Sequence, residues 1–134
     1  HQIAGMGEAF RIARAEMANE IPRLRALRDR LWQALRAIPG VTLNGDSERR
    51  VANTLNISIA GCLLDLSALS EVAISSASAC TSGHASHVLA AMGCDPHATV
   101  MRISVGRFTS DSDIDYAVNY FRDCMNACLA RQAV

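Results

Sequence analysis

The sequence predicts an α+β fold, a small and mainly antiparallel sheet covered on one face by two long terminal helices. Apolar residues recur at spacings of three and four over residues 6–38 and again over residues 114–129. This pattern indicates an amphipathic helix at each end of the chain. Short runs of strand-favouring residues, bounded by turn residues, lie between the two helices. The 134 residues, half of them apolar, suffice for one domain with its own core.

Each terminal helix carries its own boundary signals. The first ends before Pro39, and Pro22 removes a backbone hydrogen bond inside it, so we expect a kink or break near residues 18–21. The last begins after a capping box at Ser110–Asp113. Arginines on the polar face of the first helix are expected to be solvated: Arg25, Arg28 and Arg36.

The middle of the chain supplies the sheet and two short helices. We predict strands at Val41–Leu43, Thr54–Ile59, Val72–Ser75 and Thr99–Val105, and helices at Leu63–Ser70 and Ser86–Met92. In the last strand, alternation places Met101, Ile103 and Val105 on one face and Arg102 on the other, less apolar one. Arg102 is therefore either a solvated or salt-bridged arginine, or a fork that binds a carboxylate.

Composition excludes several classes of function. Thirteen basic residues balance thirteen acids, so no overall field attracts nucleic acid or a membrane surface. All thirteen are arginine, so a Schiff base to a carbonyl cofactor cannot form on this chain alone. No apolar run reaches the ~20 residues of a membrane helix, and no signal peptide opens the chain. Five cysteines without regular spacing favour a reducing, cytoplasmic compartment.

Cys80 is the most unusual cysteine. It lies in Ser-Ser-Ala-Ser-Ala-Cys-Thr-Ser-Gly-His, residues 75–84, among small and hydroxylated residues that pack poorly. A loop of this kind would expose the thiol and let it move, although a reactive and an inert thiol both fit the local composition. Cys124 and Cys128 lie on the core stripe of the last helix and are expected to pack as small apolar residues. We assign Cys62 no role.

A metal site is the rival interpretation. Five potential zinc ligands fall within eighteen residues: Cys80, His84, His87, Cys94 and His97. Their spacing, Cys-x3-His-x2-His-x6-Cys-x2-His, matches no standard zinc signature. The alternative to an enzyme is thus a stand-alone metal-binding or sulfur-acceptor module that uses Cys80, His84 and Cys94.

Five motifs, taken together, resemble the C-terminal small domain of a cysteine desulfurase of the type that supplies sulfur for iron–sulfur clusters. In chain order they are His-Gln-Ile-Ala-Gly-Met-Gly-Glu-Ala-Phe at 1–10, Leu-Asn-Gly-Asp at 43–46, Asn-x-Leu-Asn at 53–56, Ser-Ser-Ala-Ser-Ala-Cys-Thr-Ser at 75–82 and Met-Arg-Ile-Ser-Val-Gly-Arg-Phe-Thr at 101–109. The resemblance runs from residue 1 to about residue 130.

The resemblance implies the C-terminal domain of the aspartate-aminotransferase-like fold, with residues 1–134 as a single small domain. In this family a large domain carries the lysine that holds pyridoxal phosphate; that domain is absent here, so this chain alone should bind no cofactor and be inactive. Cys80 matches the nucleophile that takes sulfur from L-cysteine as a persulfide and releases L-alanine. Arg102 matches the arginine that binds the substrate carboxylate. Implied partners are an iron–sulfur scaffold or other sulfur-acceptor protein, and a second copy in a homodimer.

Some residues depart from the family pattern. Ala77 replaces a usual glycine, the segment after Cys80 and the region 60–65 look shortened, and the chain stops at Val134 without a longer tail. A paralogue that is retained only for dimer contacts is a third hypothesis. Without a large domain, the first helix and the sheet should expose apolar surface, and the chain should self-associate.

Overall fold

The computed structural model describes residues 1–61, 63–66, 69–75 and 86–132. In these parts the chain forms three helices and three strands. They are α1 (Gln2–Leu35), β1 (Val41–Leu43), β2 (Thr54–Ile59), α2 (His87–Ala91), β3 (Thr99–Ser104) and α3 (Asp111–Gln132).

The three strands form one antiparallel sheet in the order β1-β2-β3. Asn56 in the centre of β2 lies opposite Arg102 in β3. Successive side chains point to opposite faces of a strand, so one face of the sheet is apolar and the other polar. The predicted alternation in β3 is confirmed, because Met101 and Ile103 are buried whereas Arg102 and Ser104 are exposed.

Helices α1 and α3 cover the apolar face and complete the core, so the predicted fold class is confirmed. The largest fully buried side chains come from both helices and from two strands: Leu31 and Leu35 of α1, Ile57 and Ile59 of β2, Met101 of β3, and Phe121 and Met125 of α3. The capping box before α3 is also confirmed. The Ser110 amide donates to the Asp113 carboxylate at 2.9 Å, and the Asp113 amide donates to the Ser110 hydroxyl at 3.2 Å.

Helix α1 passes through Pro22 without interruption, so of the kink or break expected near residues 18–21 the break does not occur. Side chains on both sides of the proline contact one segment, residues 106–109. Glu20 binds Arg107 before the proline, and Arg23 binds backbone carbonyl oxygens after it. These contacts tie the chain on both sides of the proline to one partner segment, which favours a continuous helix although the proline removes one backbone hydrogen bond.

One arginine expected at the surface is buried. Arg28 is 5% exposed, and its guanidinium donates to the Val51 carbonyl oxygen at 2.9 Å and to the adjacent Asp29 carboxylate. The Val51 carbonyl oxygen belongs to the connection between β1 and β2, and helical periodicity contains no information about which residues of that connection pack on Arg28. Arg25 and Arg36 are exposed, as predicted.

The predicted helix Leu63–Ser70 and strand Val72–Ser75 are wrong for the residues that the structure describes there. The described residues contain one 3₁₀ turn, in which the Leu69 amide donates to the Leu66 carbonyl oxygen at 3.2 Å, and no α-helix. The Leu64 amide donates to the Thr99 hydroxyl at 3.1 Å. The apolar side chains of this segment pack onto the core, which explains the helix-like pattern. In place of the predicted strand Val72–Ser75, the structure has one isolated antiparallel bridge, between Ser75 and Arg102.

The apolar stripe of α1 is buried only in its second half. In the first half, Ile3, Met6, Phe10 and Met17 are 83%, 58%, 70% and 48% exposed. The apolar surface expected on the first helix is therefore present, whereas the uncovered face of the sheet is mainly polar. A contiguous apolar stripe in water favours association with another surface.

Replacing a core aromatic residue should destabilise the chain far more than replacing an exposed one. Phe121 is 0% exposed and Phe108 is 92% exposed. We expect Phe121→Ala to lower the free energy of unfolding by about 3–5 kcal/mol, and Phe108→Ala to change it by about 0.5 kcal/mol or less. Urea unfolding followed by circular dichroism measures both, and equal losses would contradict this core.

The chain should self-associate through the exposed half of α1. We expect its apparent mass in size-exclusion chromatography with light scattering to rise with concentration, and Phe10→Glu to abolish that rise. Phe108→Glu introduces the same charge at an isolated exposed aromatic residue and should leave association unchanged. A monomer at all concentrations would contradict the prediction.

Candidate functional site

A pocket of about 650 Å³ lies between the polar face of the sheet and α2. The strands contribute Asn56 and Arg102 to its lining, and α2 contributes Leu89. Ser86, the N-cap of α2, also lines it and accepts a hydrogen bond from the Leu89 amide at 3.5 Å. Its volume and its mixture of apolar and polar groups are those of a small-molecule site.

Arg102 is fixed by its backbone on both sides. Asn56 lies opposite it in β2, and on the other side Ser75 exchanges two backbone hydrogen bonds with it, at 2.8 and 3.0 Å. The Arg102 side chain also donates to the Ser75 hydroxyl at 3.0 Å. Among the described residues it has no ion-pair partner, so most of the guanidinium fork remains available to an anion.

The described residues on either side of residues 76–85 adjoin this pocket. Ser75, the last described residue before this segment, is bridged to Arg102, and Ser86, the first described residue after it, lines the pocket. Cys80 itself lies outside the described residues, as do Ala77 and His84. Ser75 thus contacts Arg102 and Ser86 lines the same pocket, whereas the role of Cys80 stays a prediction.

A polar network lines the pocket beside Arg102. The Asn44 amide donates to the Asn56 side-chain oxygen at 2.7 Å and to the Ser58 hydroxyl at 2.9 Å. The Ser58 hydroxyl and, at 3.4 Å, the Cys94 thiol donate to the Asn44 side-chain oxygen. No role was predicted for these asparagines, although Asn56 alternates with the apolar Leu55 and Ile57 and so lies on the polar face of the sheet, as Arg102 does.

A second arginine, Arg50, also lines the pocket and was missed. Its Nε and Nη2 donate to the backbone carbonyl oxygens of Asp46 and Asn44 at 2.8 and 3.0 Å. Burial, followed by the positive charge of Arg28, lowers the pKa of Arg50 from its ordinary value. No periodicity indicated this position, because Arg50 lies in an irregular connection.

The metal interpretation receives no support from the described residues, which contain no group of three or more histidine, cysteine or acidic side chains that could hold an ion. His87 and His97 are exposed, and the Cys94 thiol bonds to Asn44.

In α3, Cys124 is free and half-buried, whereas Cys128 is buried and disulfide-bonded, unlike the free packed thiol expected there. No helix in the described part of the chain has the length and hydropathy to cross a membrane.

The segment after β3 is tied to α1. Arg23 donates to the carbonyl oxygens of Thr109 and Arg107 at 2.8 and 2.5 Å. Arg107 in turn forms ion pairs with Glu16 at 2.7 Å and Glu20 at 2.5 Å. The Arg107 guanidinium lowers the pKa of Glu20, and the Glu20 carboxylate raises the pKa of Arg107. These contacts fix the end of the strand that carries Arg102.

Comparison with known proteins identifies a matching family and similar sequences over most of the chain. Residues 1–117 match the model of the family described as aminotransferase class-V. The chain is 52% identical over 131 residues to the cysteine desulfurase IscS of Tolumonas auensis and 47% identical to that of Klebsiella pneumoniae. In both cases the match covers 92% of this chain and 32% of the relative. The chain therefore spans about a third of the length of these curated relatives.

Solved structures show the same fold. A NifS-like protein from Rickettsia africae superimposes with a TM-score of 0.77 at 24% identity, covering 92% of this chain and 34% of that protein. A second NifS-like protein has a TM-score of 0.78, also at 24% identity, over 93% of this chain and 33% of its own. At this identity the likeness concerns the fold.

The ion pair between Glu20 and Arg107 should make stability depend on pH. A lowered folded pKa means that the pair stabilises the fold above the unfolded pKa of about 4.3, and that this contribution is lost as the pH falls through the folded pKa. We expect Glu20→Gln to lower the Tm at pH 7 and to have little effect near pH ~2, where the carboxylate is protonated in both states.

The matched control is Glu8→Gln. Glu8 pairs with Arg11 within the exposed first half of α1, three residues along the same helix, so its loss should alter the Tm much less than the loss of Glu20. Thermal unfolding followed by circular dichroism at both pH values measures the four differences. The same Tm difference for Glu20→Gln at pH 7 and at pH ~2 would contradict the assignment.

Proposed function

Since the chain belongs to the class-V aminotransferase family, we propose that it is the sulfur-transfer domain, the C-terminal small domain, of a pyridoxal-phosphate-dependent cysteine desulfurase. The observation that carries this proposal is the pairing of Ser75 with Arg102, because Ser75 lies five residues before Cys80 in the chain. The similarity to cysteine desulfurases over 92% of the chain supports it.

Arg102 is proposed to bind the carboxylate of L-cysteine. A guanidinium fork binds a carboxylate through two parallel hydrogen bonds, which fix the orientation of the ligand as well as its position. Ser75 occupies one donor and orients the side chain without neutralising its charge. The two backbone bonds between Arg102 and Ser75, together with the pairing of β3 with β2, limit movement of the Arg102 Cα, as precise substrate orientation requires.

Cys80 is proposed to accept the sulfur. The Cβ–Sγ bond of L-cysteine breaks, a new S–S bond forms between that sulfur and the Cys80 sulfur, and the substrate carbon gains a proton. L-Cysteine and a Cys80 thiol thereby give L-alanine and a Cys80 persulfide, with all atoms and electrons balanced. Pyridoxal phosphate supplies the electron sink that makes this bond cleavage feasible.

The lysine that holds the cofactor must belong to another part of the proposed intact protein. This chain has no lysine, so none of its residues fits that role, and alone it is proposed to be inactive. The persulfide is then transferred to an acceptor protein for iron–sulfur cluster assembly. We further propose that the intact enzyme is a cytoplasmic homodimer.

Two variants of the intact desulfurase test the proposal, each with a control. With L-cysteine, mass spectrometry of the wild type should show an added sulfur of about 32 Da, and Cys80→Ser should lose that adduct. Cys94→Ser removes a different thiol from the same pocket and should retain it. A Cys80→Ser enzyme that still carries the added sulfur on this part of the chain would disprove the assignment.

Arg102→Gln should raise the KM for L-cysteine by roughly 10- to 100-fold, because one charge-assisted bidentate contact is lost. Arg36→Gln removes the same charge from an exposed position outside the pocket and should leave the KM unchanged. Release of L-alanine measures both. An unchanged KM in Arg102→Gln would exclude this arginine from substrate binding.

A further inference from the structure

The pocket of Arg102 contains a second guanidinium at its other end. Asn44, Asn56 and Arg102 form one cross-strand row, because Asn44 donates its backbone amide to Asn56 and Asn56 lies opposite Arg102. Two strand spacings separate the outer members of this row by about 10 Å between backbones. Arg50 is attached to the Asn44 end through the Asn44 carbonyl oxygen. The two arginines therefore lie at opposite ends of a row of neutral amides.

Neither guanidinium forms an ion pair with the described residues, although the carboxylates of Asp46 and Asp29 act on Arg50 through space and raise its pKa. Arg50 donates to two backbone carbonyl oxygens, and the Arg102 side chain donates to the Ser75 hydroxyl. Most arginines in ion pairs of this chain are on other surfaces, such as Arg30 with Asp111 and Asp115. A guanidinium that forms hydrogen bonds only with neutral acceptors keeps its charge and therefore still attracts an anion.

The acids that line the pocket are already engaged. The Asp46 carboxylate accepts the backbone amides of Glu48 and Arg49 and forms an ion pair with the Arg49 side chain at 3.3 Å. The Asp95 carboxylate accepts the His97 amide at 2.8 Å. With three arginines and two acids in its lining, the pocket has a net positive charge.

The remaining wall is apolar. Val88, Leu89 and Met92 line it from the α2 side, and Val100 lines it from β3. Bare inorganic anions gain nothing from such a wall, whereas the aliphatic body of an organic acid is removed from water against it. A volume of about 650 Å³ admits a small molecule of this kind.

We propose that Arg50 forms a second anion subsite of this pocket, which thereby takes a small organic acid with two anionic groups, one on Arg102 and one on Arg50. The part of the proposal that concerns Arg102 rests on the proposed function. Such a dianion occupies the carboxylate site of L-cysteine and so competes with the substrate. The second subsite thus gives the pocket selectivity for dianions over monoanions with the same carbon skeleton.

The experiment compares succinate with butyrate, which share a four-carbon skeleton and differ in one carboxylate. Calorimetric titration of the 134-residue chain should show succinate binding at least about ten-fold more tightly, in keeping with one additional charge-assisted contact. Arg50→Gln should reduce succinate affinity to that of butyrate and leave butyrate unchanged. Arg36→Gln, the charge-matched control, should alter neither. Equal affinities in the wild type, or unchanged selectivity in Arg50→Gln, would overturn the proposal.

Two further readouts separate the possible failures. Arg102→Gln should weaken both acids; if it weakens neither while Arg50→Gln abolishes selectivity, the proposed function fails and the Arg50 subsite stands. Because Arg50 also bonds to the loop backbone, its variant could unfold. The Arg50 Nε–H signal in ¹H–¹⁵N spectra of the wild type therefore provides a test without substitution. It should shift with succinate and not with butyrate, and an unmoved signal would overturn the proposal.

Discussion

The antiparallel pairing of β2 with β3 is the interaction on which the rest of the structure depends. Because side chains alternate along a strand, the same pairing that buries Met101 and Ile103 places Arg102 on the opposite, polar face. A slip of one residue would exchange the two faces. The core therefore fixes the direction of the site arginine: helices α1 and α3 can only cover the face from which Arg102 points away.

β3 is connected to the rest of the fold by polar contacts of two kinds. Within the strand, Ser75 pairs with Arg102. After it ends, Arg23 and Arg107 attach residues 106–109 to α1 on both sides of Pro22. The same contacts thus support a helix that contains an interior proline and position the strand that carries the site.

The pocket combines fixed positive groups with neutral acceptors and an apolar wall. Arg50 and Arg102 are oriented by carbonyl and hydroxyl oxygens, which direct a guanidinium without cancelling its charge. This arrangement suits the recognition of a small carboxylate that the proposed desulfurase needs. It also distinguishes the polar face of the sheet from an ordinary solvated surface, where ion pairs would satisfy the arginines.

The sequence by itself determined the fold class, the strands β1 and β2, the alternation of β3 and the direction of Arg102, because periodicity and turn residues are local signals. Tertiary structure alone decided that Arg28 is buried, that α1 passes through Pro22, and that the described residues of Leu63–Ser70 form no α-helix. It also brought Arg50 to the pocket. Each of these depends on contacts between residues far apart in the chain, which a local pattern does not contain.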